Sequence, residues 1–153
     1  INLIKNDPTS RRMLINLFNP ATQHNAALPA CLCQYQLYVN TVKNELNLQI
    51  YIRSSDFFLA NNWNTCTGAF LVHMICNLEG IDLTPGDLTV ITGDTHIYKS
   101  HIDAVKENME RIPLPSPKLV ILNKHKDLRD FVYSDMKIIG YHPYPSIKAE
   151  MAV

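Results

Sequence analysis

A thiol and three guanidinium groups mark where this chain could do chemistry. Cys31 stands first among them, because a thiolate is a soft nucleophile able to form and break a bond to an electrophilic carbon. Pro29 fixes its own φ and has no amide hydrogen to donate. The strand predicted over residues 34–39 therefore starts after it and leaves Cys31 at the strand's entrance, where a thiol can meet a ligand. Arg11, Arg12 and Arg53 carry planar forks suited to paired bonds with phosphate oxygens, and a guanidinium beside a cysteine favours the thiolate. Together they suit covalent chemistry on a small anionic substrate, against an alternative in which the arginines are only solvated surface charges.

The elements that must position these groups follow from periodicity. Residues 1–6 read as a helix, apolar at Ile1, Leu3 and Ile4, broken by Asp7 and Pro8; Arg11 and Arg12 then stand at the entrance of a strand predicted over 13–18. Residues 21–27 form a loop leading to the cysteine. After a hairpin connection at 40–45, Leu46, Leu48, Ile50 and Ile52 alternate with Asn47, Gln49, Tyr51 and Arg53, so Arg53 ends a strand on its polar side, within reach of an ion pair with Asp56. A helix is predicted over 64–79, with Asn64 as its N-cap and Gly80 as its C-cap. It has almost no polar stripe, which predicts burial at the centre of the domain, with His73 a satisfied core residue.

Residues 84–87 read as a turn and 88–92 as a short strand running into Gly93. Asp94 or Thr95 is expected to cap a helix with Ile102, Val105 and Met109 on its inner side and His96 and Tyr98 in its first turn. A rigid proline-rich connector at 113–117 leads to strands predicted over 118–122 and 137–141, joined by a charged turn through His125.

Composition excludes several function classes. At 153 residues the chain supports one domain with a substantial core, and 14 Lys and Arg against 14 Asp and Glu leave no overall field to recruit DNA. No apolar run has membrane-spanning length, and no signal or lipidation pattern is visible, so cytoplasmic or nuclear residence is expected. The 4 cysteines, Cys31, Cys33, Cys66 and Cys76, lack metal-site spacing and read as reduced thiols, and no metal is expected. The opening residue is Ile1, in a helix already under way, which suggests that further chain precedes it.

Five segments in register, around Arg11 and Arg12, Cys31, Arg53 to Asp56, Trp63 and Asn64, and Gly93 to Tyr98, resemble the nucleotide-binding segments of the thymidylate synthase family. The resemblance runs along residues 1–153, which would be the C-terminal, site-bearing portion of a single domain. It implies an α/β (α+β) three-layer fold, with a large mixed sheet packed on a central buried helix and sheets paired across a homodimer. It also implies reductive methylation of dUMP to dTMP with 5,10-methylenetetrahydrofolate as co-substrate, through a covalent adduct of Cys31 at C6.

By the same resemblance, Arg53 and Ser54 bind phosphate, joined by Arg11 and Arg12 from the other subunit. Asn64 reads the uracil edge, His96 and Tyr98 hold the deoxyribose hydroxyl, Asp56 faces the folate ring with its backbone near the pyrimidine, and Val153 ends a tail that closes on the folate. The general-base glutamate of the family would lie upstream, so residues 1–153 alone are not expected to turn over. The chain departs from the family at Leu32, where His is usual, at Ile52, where Gln is usual, and between Asp56 and Asn64, where the usual Gly-rich passage is replaced by residues 57–63. Those departures keep two alternatives open: a pyrimidine-nucleotide hydroxymethylase of the same superfamily, and a catalytically inactive homologue that binds dUMP or RNA.

Overall fold

A computed structural model describes residues 1–151, so Val153 lies outside the described residues. The chain runs through helix α1 (Asn2–Asn6), strands β1 (Leu14–Asn16), β2 (Leu32–Asn40) and β3 (Glu45–Asp56), helix α2 (Ala60–Cys76), strand β4 (Thr84–His96), helix α3 (Ile102–Met109) and strands β5 (Lys118–Ile121) and β6 (Met136–Ile139). A 4-stranded mixed sheet has the order β1-β2-β3-β4, and β5 and β6 form a separate 2-stranded sheet. The first three strands are antiparallel and β4 runs parallel to β3, with α2 making the crossover a parallel pair requires. This is the mixed α/β architecture that the sequence led us to expect.

The core lies between the sheet and α2. Tyr35, Leu37 and Val39 of β2 stand opposite Ile50, Leu48 and Leu46 of β3, all buried, and α2 turns Gly68, Val72, Ile75 and Cys76 onto that face. Those four helix positions recur at the spacing of one helical stripe. At Gly68 a Cβ would come within 3.2 Å of Leu88, so the bare backbone lets the helix sit close on the sheet. The predicted all-round burial of α2 is corrected: Trp63, Cys66 and Thr67 are exposed, and only the stripe facing the sheet is sealed. The opposite face of the sheet presents Tyr38, Gln49, Tyr51, Thr89 and Ile91 outward.

Several boundaries differ from expectation for physical reasons. β3 runs to Asp56, whose Oδ1 accepts from the amides of Phe58 and Leu59, turning the chain so that α2 begins at Ala60. Asn64 is therefore inside the helix and not its N-cap. At the other end, Glu79 donates its amide to the His125 carbonyl and His125 donates to that of Asn77, a strand-like pairing that draws the chain out of the helix after Cys76. Gly80, at φ +75, serves the turn beyond and not the helix cap.

β4 replaces the predicted turn and short strand with one 13-residue strand. It is an edge strand, so Pro85 removes a donor without leaving a gap between two neighbours. Asp94 and Thr95 lie within it and cap nothing; His96 is its last residue, and Tyr98 precedes a 3-10 turn at Lys99–His101 before α3. α3 exposes Ile102 and Met109, contrary to the inner face expected for them. β1 shortens to 3 exposed residues, because the amides of Leu17 and Phe18 both turn to the Cys33 carbonyl.

One buried polar cluster fastens the β5–β6 hairpin. The carboxylate of Asp135, nearly sealed from solvent, accepts from the Val132 amide at 2.9 Å, from Asn123 Nδ2 at 2.7 Å and meets His125 Nε2 at 2.9 Å. The Val132 amide, the Asn123 amide and His125 together hold this carboxyl below the usual Asp value. A depressed native pKa makes this contribution fully present above the unfolded value of about 3.9 and lost as pH falls through the native value. Urea unfolding from pH 7 to pH 3 is expected to show stability falling below about pH 4, with a shallower fall in Asp135→Asn, which is already weakened at neutral pH.

Candidate functional site

The register of β2 on β3 brings the Cys31 thiol to the Arg53 guanidinium. Leu32 stands opposite Ile52, and the next step outward pairs Arg53 with Cys31, whose carbonyl accepts the Arg53 amide at 2.9 Å. The Arg53 side chain then folds back over the segment before β2. Its Nε donates to the Ala30 carbonyl at 2.9 Å and its Nη2 to that of Pro29 at 2.8 Å, leaving Nη2 4.0 Å from the Cys31 sulfur. No ion pair to Asp56 forms; the Asp56 carboxylate is taken by the helix-leading amides. Cys31 is exposed, as its place at a strand entrance predicts. A register shift between Leu32 and Gln34 bulges β2 at Cys33, re-aiming the chain beside the site.

The parallel partner completes the same end of the sheet. Ser54 pairs with Asp94 and Asp56 with His96, so the carboxyl ends of β3 and β4 and the entrance of β2 converge. Ligands gather at the carboxyl ends of parallel strands, where neighbouring loops leave a crevice. Gly93 makes this convergence possible: a Cβ there would sit 2.7 Å from the Arg53 carbonyl oxygen. His96 Nδ1 lies 2.7 Å from Asp94 Oδ1, and the His96 ring stands edge-on to Tyr98 at 5.0 Å between centroids. Asn64 sits on the first turns of α2 above this end, half-buried, its carboxamide bonded to no side chain or backbone group among the described residues.

Arg11 and Arg12 are not brought to Cys31. Leu14 pairs with Gln36, which puts Arg12 level with Tyr38 at the far end of β2. At the rise of a strand that is about 23 Å from Cys31. The two arginines instead share a cleft with Asp7, Thr9 and Ser10.

A larger groove of about 850 Å³ opens beside the convergent end, between the start of α2, α3 and residues 141–147. Phe57, Leu59, Trp63, Ile97, Met109 and Tyr144 give it an apolar lining that excludes Cys31 and Arg53 themselves. Cys76 is buried in the core, and burial pushes its thiol up to about 11. Burial also lowers the pKa of His73.

Sequence comparison bears on these same residues, matching the thymidylate synthase profile over residues 1–153. The chain belongs to the thymidylate synthase family. It is 42% identical over 153 residues to the bifunctional dihydrofolate reductase-thymidylate synthase of Leishmania amazonensis, covering 100% of this chain and 29% of that protein. It is 41% identical over 150 residues to the thymidylate synthase of Buchnera aphidicola subsp. Acyrthosiphon pisum (strain Tuc7), covering 98% of this chain and 55% of that one. For the thymidylate synthase of Listeria monocytogenes serovar 1/2a the identity is 40% over 153 residues, covering 100% and 48%. The chain thus spans about half, or less, of the length of these thymidylate synthase relatives.

Two contacts beside the site escaped sequence reading. Asp94 reaches His96 because both lie on one side of a strand, a spacing of two residues that a helical assignment conceals. His101, fully buried behind Tyr98, carried no signal beyond its residue type. Gly93→Ala is expected to push β4 off β3 at Arg53 and to cost about 1–3 kcal/mol, measured by urea unfolding.

Proposed function

We propose that the protein containing this chain is a thymidylate synthase, converting dUMP to dTMP with 5,10-methylenetetrahydrofolate as co-substrate. The observation that carries the reading is the exposed Cys31 sulfur beside Arg53 at the end of the sheet where His96 and the Asn64 helix also converge. Attack by the Cys31 thiolate on C6 of the pyrimidine shifts the C5–C6 electron pair toward C5 and O4, which makes C5 a carbon nucleophile. C5 bonds to the folate's methylene carbon, gives up its proton to a base and expels tetrahydrofolate; hydride from that tetrahydrofolate then reduces the exocyclic methylene to methyl as the C6–S bond breaks, releasing dTMP, dihydrofolate and the Cys31 thiolate. Arg53 and Ser54 anchor the phosphate, so binding energy far from the reacting carbon aligns C6 with sulfur.

Asn64 presents a donor and an acceptor to the uracil edge, and His96 and Tyr98 take the sugar hydroxyl. The apolar groove with exposed Phe57 and Trp63 fits the flat rings of the folate, and Asp56 and Val153 contribute to binding it in this reading. Ile52 is fully buried against the core, so at this departure from the usual pattern the side chain adds apolar packing beneath the site.

Two copies are needed in this reading. Arg11 and Arg12 stand a strand's length from their own cysteine, and the exposed sheet face with Tyr38, Tyr51 and Ile91 is where a second copy pairs, carrying its arginines to the partner's phosphate. Among the described residues no helix is long and apolar enough to cross a membrane.

The intact protein with dUMP and the methylene donor is expected to yield dTMP and dihydrofolate, and Cys31→Ser to lower turnover by about a thousandfold or more. Hydroxymethyl-dUMP as the product would overturn the reductive step, and tight dUMP binding without product would overturn the enzyme reading. Mixing Cys31→Ser with Arg12→Ala subunits should restore about a quarter of wild-type activity, since half the dimers are mixed and each has one intact site.

A further inference from the structure

We propose that His101 is a positioning residue: it fastens the C-terminal strap, residues 141–151, to the turn carrying His96 and Tyr98, and so links nucleotide occupancy to strap placement. The proposal rests on the reading of the site given above. His101 is 0% exposed, and its Nε2 lies 2.6 Å from the carbonyl oxygen of Glu150. A carbonyl can only accept, so Nε2 carries the proton. The strap has no regular secondary structure of its own, and its position depends on side chains that reach it. Arg111 holds its middle, donating from Nη1 to the Pro145 carbonyl at 2.8 Å with its guanidinium 5.4 Å from the Tyr144 ring centre. His101 holds its end.

The ring of His101 also belongs to a continuous row. It stands edge-on to Tyr98 at 5.6 Å, Tyr98 stands edge-on to His96 at 5.0 Å, and His96 meets Asp94 at 2.7 Å. Phe58, from the segment leading into α2, closes the other side of His101 at 5.8 Å. A ligand hydroxyl engaging His96 and Tyr98 restricts the rings that press on His101. A sealed ring cannot shift without moving its one partner on the strap. Placement of Glu150 and occupancy of the sugar site are then two readouts of one packed arrangement.

Three variants of the intact protein separate the hydrogen bond from simple packing. In His101→Gln the amide nitrogen reaches the position of Nε2 and can still donate; in His101→Asn it falls short; His101→Phe keeps ring volume without a donor. Lys148, two residues before Glu150, is exposed. Tryptic cleavage after it, followed by mass spectrometry, is expected to run about fivefold faster in the Asn and Phe variants than in wild type, the equivalent of one net hydrogen bond. Cleavage elsewhere and the Gln variant should remain as in wild type. Added dUMP should slow cleavage after Lys148 in wild type and Gln, and leave Asn and Phe unaffected. Wild-type rates in Asn and Phe, or a Gln variant as fast as Phe, would overturn the fastening. If calorimetry finds no dUMP binding to wild type, the functional reading and the linkage both fall, while the ligand-free rates decide the fastening by themselves.

Discussion

The backbone bond from Arg53 to the Cys31 carbonyl, with the Arg53 side chain folded over Pro29 and Ala30, is the contact on which the site depends. Pro29 has no amide hydrogen to donate, and Pro29 and Ala30 lie outside the strand pairing, so their carbonyls need a donor from elsewhere. One guanidinium satisfies both carbonyls and presents a positive charge to the sulfur. The segment that carries the Cys31 thiol and the charge beside that thiol are therefore set by the same side chain. A lysine, with a single point donor on a flexible stem, would not reproduce that forked geometry.

What holds Arg53 in place is the core beneath it. Leu46, Leu48, Ile50 and Ile52 are essentially sealed, and a slip of one residue in register would turn all of them to the open face. Hydrophobic burial thus fixes the register, and the register fixes which residue meets Cys31. The parallel strand adds its own condition. β4 must approach the Arg53 carbonyl closely, and Gly93 leaves room for it, so Asp94 and His96 arrive level with Ser54 and Asp56.

Alternation made β2 and β3 legible from sequence, because a strand with one buried face writes its geometry every second residue. Cys31 at a strand entrance followed from that, whereas Arg53, read as a strand end, lies inside β3, which runs on to Asp56. β4 was harder, since Pro85, Gly86 and Gly93 read as breakers when neither the edge position nor the close approach at Arg53 can be seen. The start of α2 was misplaced because Asp56 turns the chain with its side chain, a choice open to any Asp or Asn in a loop. The separation of Arg12 from Cys31 needed the pairing of β1 with β2, and the bond from His101 to Glu150 spans 49 residues with no local pattern to announce it.

The pairing of Leu32 with Ile52 changes how this chain's departures from its family are to be counted. Taken along the sequence they are two separate replacements, one next to Cys31 and the other next to Arg53. Taken across the sheet they are neighbours on adjoining strands, one sealed and the other packed against the core. A buried amide or imidazole is tolerated when it has a partner to bond, and an aliphatic side chain when it has another to pack against. The mixed combinations, with one polar member stranded against one apolar member, are the unfavourable ones. Substitution at either position therefore constrains the other, because Leu32 and Ile52 share one patch of apolar packing beneath the site.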